Sequence, residues 1–320
     1  MKNLVLAIST FNRKDYLASC IESYVATRNN NYQWTLVIAD DCSTDQTHEY
    51  LNELMIDNTK IVILKNERIG VHQQMNTILN HLETINYDFC FKADDDITFL
   101  KSGWDDLYFK TALVTGNHHL VFCDENWCIE QLLETKVLSN NLVGNVPTLH
   151  AHGFFYTLSP QVTDKVGFMD VNSFGFRGMG HVDYTMRCAR AGYTNKDTPW
   201  DIIDSNNYIS ATKHNYKSVL PSISTSAYDE YNRAQKETII LKKNRIYVPF
   251  QNTNTNIYKE FKNQVIEALS DKVLNFDKEK KELVTWYEEE ISKIKKWYTN
   301  KYDFLPNWYI VLGKIFKLFR

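Results

Sequence analysis

The sequence predicts an α/β protein built on a mostly parallel, doubly wound sheet flanked by helices, with a helical extension at its C-terminal end. Three observations carry this prediction. Short apolar runs alternate with segments of helical periodicity between Leu4 and Phe91. Three of these runs end in polar clusters, Ser9-Thr10, Asp40-Asp41 and Asp94-Asp95-Asp96. In a parallel sheet such ends lie along one edge, so the clusters should converge. Past about Asn252 the composition turns charged and helical.

The elements follow in order. Leu4–Ile8 reads as a buried first strand. Asp15–Ala26 reads as a helix, with Leu17, Cys20, Ile21, Tyr24 and Val25 at helical spacing. Trp34–Ala39 is the second strand, and the next helix turns Tyr50, Leu51, Leu54 and Met55 inward. Lys60–Lys65 is the third strand, and Asn66–Gly70 turns into a helix carrying Met75, Ile78, Leu79 and Leu82. Tyr87–Phe91 is a short strand that runs into the aspartate triplet. Further on, His119–Cys123 and Ala151–Tyr156 read as strands and Pro160–Val166 as a short helix. Val171–Gly180 reads as a glycine-rich loop, and Tyr184–Ala191 as a helix stopped by Gly192. Thr212–Lys217 is a polar, basic loop. Tyr258–Tyr298 is long and helical with loosely heptad spacing, which leaves a docked helical hairpin and a homodimer through these helices both open.

Composition narrows the classes. The chain has 320 residues, enough for one large domain and an appendage. A net charge of −3 excludes nucleic-acid binding by bulk electrostatics. The 6 cysteines lie in apolar or helical patterns, and only Cys123 and Cys128 are close, without a second pair at zinc-site spacing. They fit reduced thiols in a reducing compartment. Leu4–Ile8 is too short for a signal segment, and no apolar run has the length of a membrane span. These features point to the cytoplasm. Residues 293–320 interleave aromatics with Lys293, Lys295, Lys296, Lys301, Lys314, Lys317 and Arg320 against Asp303. That pattern suits peripheral contact with anionic lipid at the inner face of the plasma membrane.

The triplet Asp94-Asp95-Asp96 carries the chemistry. Three adjacent carboxylates repel one another and call for a compensating positive charge. Mg²⁺ or Mn²⁺ fits, because hard cations prefer carboxylate oxygens and keep positions open for substrate phosphates. In an extended segment Asp94 and Asp96 face one side and Asp95 the other. A solvated acidic turn is the competing reading.

Four motifs in order resemble those of the family 2 glycosyltransferases of the GT-A, Rossmann-like fold. They are Leu4–Arg13, Ile38–Asp45, Asn66–Asn76 and Asp94–Asp96, the last standing where that family has its Asp-x-Asp metal motif. The resemblance covers roughly residues 1–220. It implies a domain over 1–250, with a nucleotide-sugar half near 1–100 and an acceptor half near 101–250, followed by a helical region at 251–320. It implies that Ser9 and Asp41 hold the uracil and ribose of a UDP-sugar, with Asp40 beside them or capping the turn. Arg68 would lie near the base or the phosphates. Asp94 and Asp95 would line the donor site, and Asp94 and Asp96 would bind the metal. His214 would add a metal ligand, and Lys213 and Lys217 would cover the diphosphate. The family pattern Glu-Asp-x-Asp-x-x-x-Arg, aligned on Arg187, places His181 where the usual catalytic aspartate stands and keeps the second as Asp183. Either could be the base. The implied activity is metal-dependent, inverting transfer to a hydroxyl of a glycan or lipid-linked acceptor in bacterial surface-polysaccharide synthesis. A non-catalytic nucleotide-sugar or glycan-binding module, or a nucleotidyl-processing enzyme on a similar sheet, are the alternatives.

Overall fold

The computed structural model describes residues 1–124, 143–145, 153–195, 199–211, 225–242, 244–251 and 257–301. The chain divides into two compact units, Met1–Val265 and Ile266–Arg320.

The first unit is organised on a five-stranded sheet. Its strands are β1 (Asn3–Thr10), β2 (Gln33–Asp40), β3 (Thr59–Lys65), β4 (Phe89–Asp94) and β7 (Phe155–Leu158), in the order β3-β2-β1-β4-β7. The first four are mutually parallel, and β7 runs antiparallel to β4. Helices α1 (Lys14–Thr27), α2 (Thr47–Glu53) and α3 (Val71–Leu82) make the crossovers. Both faces of the sheet are covered, so its central strands are continuously apolar, as parallel strands are. Their side chains divide with the period of two. Leu4, Leu6, Ile8, Leu36, Ile38, Phe89 and Phe91 pack with α1 and with α4 (Trp104–Thr115). Val5, Ala7, Val37, Ala39 and Cys90 pack with α3, α5 (Pro160–Val166) and α7 (Gly180–Arg190). On the first face Phe91 and Trp34 each lie 5.9 Å or less, centroid to centroid, from Trp104.

Register places the site. Ser9 is opposite both Ala39 and Asp94, and Thr10 is opposite Asp40, so the polar strand ends form one row. Two small antiparallel pairs lie beyond it: β5 (Ile97–Phe99) with β9 (Ile209–Ala211), and β6 (Val143–Asn145) with β8 (Trp200–Ile202). The remaining elements are α6 (Val171–Phe174), α8 (Thr225–Lys242) and α9 (Ile257–Lys301).

Several expectations are corrected. Val25 is exposed on α1, and Met55 is exposed because α2 ends at Glu53. The fourth strand continues to Asp94 instead of stopping at Phe91. The segment His119–Cys123 makes only isolated bridges, Leu120 to Trp200 and Val121 to Tyr156, because it is lodged between two other strands. The region Val171–Gly180 contains the short helix α6, whose start is capped by Asp170 accepting from the Ser173 N–H. The helix after it begins at Gly180, so His181 lies in the first turn of α7 and not before it. The long C-terminal segment is one unbroken helix, which replaces the hairpin reading. Among the described residues no helix is long and apolar enough to cross a membrane.

Candidate active site

The site is built where β1, β2 and β4 end. β4 stops at Asp94, and Asp95 and Asp96 form the turn into β5, so strict alternation does not run through the triplet. Asp95 is buried and points inward, accepting from Thr10 Oγ1 at 2.7 Å. Arg13 bridges the next two oxygens, with Nη1 2.9 Å from Asp95 Oδ1 and Nη2 2.7 Å from Asp96 Oδ2. Asp94 is paired with the Lys92 ammonium, which also donates to the Gly153 carbonyl at 2.7 Å. Among the described residues two cations, Arg13 and Lys92, thus pair with the three carboxylates.

Electrostatics follow from that burial. Burial, opposed by Arg13 and reinforced by Asp96, pushes Asp95 up to about 7. Burial also raises Asp94 against the pull of Lys92. Arg13 sits at the start of α1, just after Asn12, which takes a left-handed backbone at φ 52. Asparagine tolerates that conformation. The Asn12 N–H donates to Ser43 Oγ at 2.8 Å, and the Thr44 N–H donates to Asn12 Oδ1 at 2.6 Å. The turns after β1 and β2 are thus tied together.

At the end of β2 the two aspartates do different jobs. Asp40 Oδ1 accepts from the Ser43 N–H at 3.1 Å and from Ser43 Oγ at 2.5 Å, the turn-capping role. Asp41 is buried and receives Arg68 together with the N–H groups of Ile69, at 2.6 Å, and Gly70, at 3.0 Å. Burial raises its pKa, and Arg68 works against that. Asp41 thereby fixes the turn between β3 and α3. The Arg68 guanidinium lies 3.4 Å from the Phe11 ring centroid, and Phe176 and Tyr258 stand at 4.9 and 5.3 Å. Its Nε and Nη2 make no hydrogen bond among the described residues.

His181 and Asp183, the two candidates for the base, separate. An added Cβ on Gly153 would stand 3.1 Å from the His181 ring, so His181 packs directly against the residue whose carbonyl holds Lys92. His181 is partly exposed. Asp183, one half-turn further along α7, is fully buried and receives Arg187 Nε at 2.8 Å. Arg187 also donates to the carbonyls of Val166 and Phe168, at 2.7 and 2.8 Å. The structure thus joins Ser9, Asp94, Asp95 and Asp96 in one cluster, sets Asp40, Asp41 and Arg68 on the neighbouring strand, and turns Asp183 into the core. Lys213, His214 and Lys217 lie outside the described residues.

Residues 5–135 match the family model described as Glycosyl transferase family 2. Over this stretch the chain resembles the family 2 glycosyltransferases, and its mostly parallel sheet flanked by helices is consistent with their GT-A, Rossmann-like fold. The chain is 25% identical over 187 residues to an uncharacterized glycosyltransferase of Acanthamoeba polyphaga mimivirus, covering 56% of this chain and 67% of that protein. It is 29% identical over 99 residues to the teichoic acid poly(glycerol phosphate) polymerase of Staphylococcus epidermidis, covering 30% of this chain and 13% of that one. Among solved structures, the mannosyltransferase of Pyrobaculum calidifontis in complex with GDP-Man and Mn²⁺ is similar at TM-score 0.49 and 14% identity, over 59% of this chain and 52% of that one. TarS of S. aureus is similar at TM-score 0.46 and 18% identity, over 77% and 67%.

The pairing of three residues of the site was not legible in the sequence. Thr10 and Arg13 stand inside the first motif and Lys92 just before the triplet, but nothing in their spacing reveals whom they pair with. Among the described residues no group of three His, Cys, Asp or Glu side chains is arranged to hold a metal ion. Asp94 and Asp96 do offer two hard carboxylates, and Mg²⁺ or Mn²⁺ is commonly held by one or two carboxylates plus substrate oxygens. The donor set fits such an ion.

Proposed function

We propose that this enzyme transfers a sugar from a UDP-sugar to a hydroxyl of a glycan or lipid-linked acceptor, with inversion and with Mn²⁺ or Mg²⁺ as cofactor, in bacterial surface-polysaccharide synthesis. The observation that carries the reading is the row of polar strand ends, at which Asp94 and Asp96 present two carboxylates beside Lys92 and Arg13. Asp94 and Asp96 would hold the cation, which when bound would neutralise charge developing on the leaving diphosphate. Arg68, already stacked on Phe11, offers its remaining N–H groups to the donor's base or diphosphate. Ser9 lies in the same row and can meet the nucleoside, and Asp41 shapes that pocket through Arg68 and the turn behind it. Lys213, His214 and Lys217 are assigned to the diphosphate side by the family resemblance.

The acceptor hydroxyl must lose its proton as it attacks the anomeric carbon. His181 supports the role of base better than Asp183 does. His181 is partly exposed and packed against Gly153, one residue contact from the Lys92–Asp94 pair. Asp183 is fully buried and committed to Arg187. The basic, aromatic segment 293–320 would keep the enzyme at the inner face of the plasma membrane, near a lipid-linked acceptor.

UDP release measured over a panel of UDP-sugars, with and without Mn²⁺, tests the reading. Release that depends on one UDP-sugar, the metal and an acceptor is expected. UDP binding without turnover for any sugar would leave a binding module instead.

A further inference from the structure

The part of α9 beyond Val265 carries large apolar side chains in the open. Phe276, Leu283, Tyr287 and Ile294 are 66, 55, 54 and 55% exposed. Their spacing of seven, four and seven residues is that of a heptad. Phe276 and Leu283 occupy one core position, and Tyr287 and Ile294 the other. Two charges interrupt the row. Lys280 shares the core position of Tyr287 and Ile294, and Glu290 shares that of Phe276 and Leu283. Lys280 is exposed, and among the described residues Glu290 pairs with its own neighbour, Lys293, at 2.6 Å.

We propose that this stretch of α9 pairs with the same stretch of a second copy of the chain as an antiparallel coiled coil, with its two-fold axis beside Thr285. In an antiparallel pair the two kinds of core position face each other across the axis. Centred on Thr285, Phe276 meets Ile294 of the second copy, Leu283 meets its Tyr287, and Lys280 meets its Glu290. Each layer occurs twice by symmetry. The only two charged side chains in the row therefore fall in one layer and neutralise each other. A parallel pair would set Lys280 on Lys280 and Glu290 on Glu290, with like charges held together at the seam. The charge pattern thus selects both the occupant and its direction, as a single polar core layer does in other coiled coils. From Phe276 to Ile294 the paired face is about 27 Å long at 1.5 Å per residue. The inference does not rest on the reading of the donor site.

Sedimentation velocity of the full chain over a range of concentrations tests it, with circular dichroism as the check on folding. A dimer is expected. Lys280→Glu puts acid against acid in both charged layers and should raise the dimer dissociation constant at least about tenfold. Glu290→Lys should do the same, and the double exchange Lys280→Glu with Glu290→Lys should restore association. In a Cys42→Ser, Cys128→Ser background, chains with Phe276→Cys and chains with Ile294→Cys should cross-link on oxidation only when mixed. A chain that stays monomeric, a dimer indifferent to Lys280→Glu, or a Phe276→Cys chain that links to itself would overturn the proposal. So would a monomer whose Phe276→Glu variant no longer floats with anionic vesicles, since that result assigns the face to lipid.

Discussion

Arg13 joins Asp95 and Asp96 through two nitrogens, and this pairing decides what each acid of the triplet is free to do. Asp95, also held by Thr10, is a structural member, which leaves Asp94 and Asp96 as the cation's candidates. Asp96→Asn should therefore abolish the Mn²⁺ dependence of UDP binding while the fold persists, because Arg13 keeps Asp95. Isothermal calorimetry with and without Mn²⁺ reads this, and an unchanged metal dependence would remove Asp96 from the site. The same logic separates the two residues at the start of α7. His181→Ala should lower turnover by a factor on the order of a hundred or more with UDP binding nearly intact. Asp183→Asn should instead cost about 3–5 kcal/mol of stability, since it leaves the buried Arg187 without its partner. Turnover and urea denaturation on both variants check the pair. The sequence made the acids of the triplet legible because three aspartates at a strand end are an unusual local pattern. It left Arg13 anonymous, because a charge partner 82 residues away, as Asp95 is from Arg13, leaves no local trace.

At the scale of elements, the turn between β3 and α3 links the end of β2 to the loop that precedes α7. Gly70 donates to Asp41, sits at φ +84, and would bring an added Cβ within 2.5 Å of the Phe176 carbonyl oxygen. That carbonyl accepts the Val71 N–H at 3.1 Å, and His72 Nδ1 lies 2.8 Å from the Gly175 oxygen. The start of α3 is thus bonded to the loop that precedes α7. Gly70→Ala should lower stability by about 1–3 kcal/mol through strain and overlap. It should also weaken UDP binding, because Arg68 moves with the turn. A thermal melt and a UDP titration measure both, and a wild-type melt would show that the loop yields. The parallel strands and α1, α3 and α5 were legible because burial on both faces writes long apolar runs and one-sided helices. The residues of β7 and of His119–Cys123 were less so. Their roles depend on antiparallel insertion beside β4 and on bridges to Trp200 and Tyr156, which periodicity does not encode. The start of α7 was missed because Gly178 and Gly180 read as loop.

For the whole molecule, buried ionisable groups oppose one another. Burial lowers His72 and His119 to about 4. It raises Asp95 and Asp201 to about 7. In the unfolded chain imidazole titrates near 6.5 and an aspartate near 3.9. Between about pH 4 and about pH 6.5 the unfolded chain therefore binds more protons at the histidines, and the folded chain more at the two acids. The first effect removes stability as pH falls, and the second adds it. With metal chelated, the contributions of these four groups should nearly cancel across this window. Asp201→Asn removes one opposing acid, so stability should then decline as pH drops from about 6.5 to about 4. Urea midpoints at a series of pH values check this, and a wild-type slope equal to that of the variant would contradict it.

The strand order has a consequence for how the chain is made. Among the described strands of the sheet, β1 is synthesised before the others and stands in the middle. Leu4 pairs with Trp34 on one side but must wait for Phe89 on the other, and Cys90 in turn waits for Leu158. At about 5–20 residues per second, roughly 4–17 s separate the synthesis of Leu4 from that of Phe89. During that interval Leu4–Ile8, an uncharged and β-prone run, has an open edge. Such distant pairings also make folding slow once the chain is complete, because loop closure precedes the contacts that reward it. The birth of this enzyme is thus its most aggregation-prone period, and expression at low temperature or with a holdase chaperone should favour soluble chain.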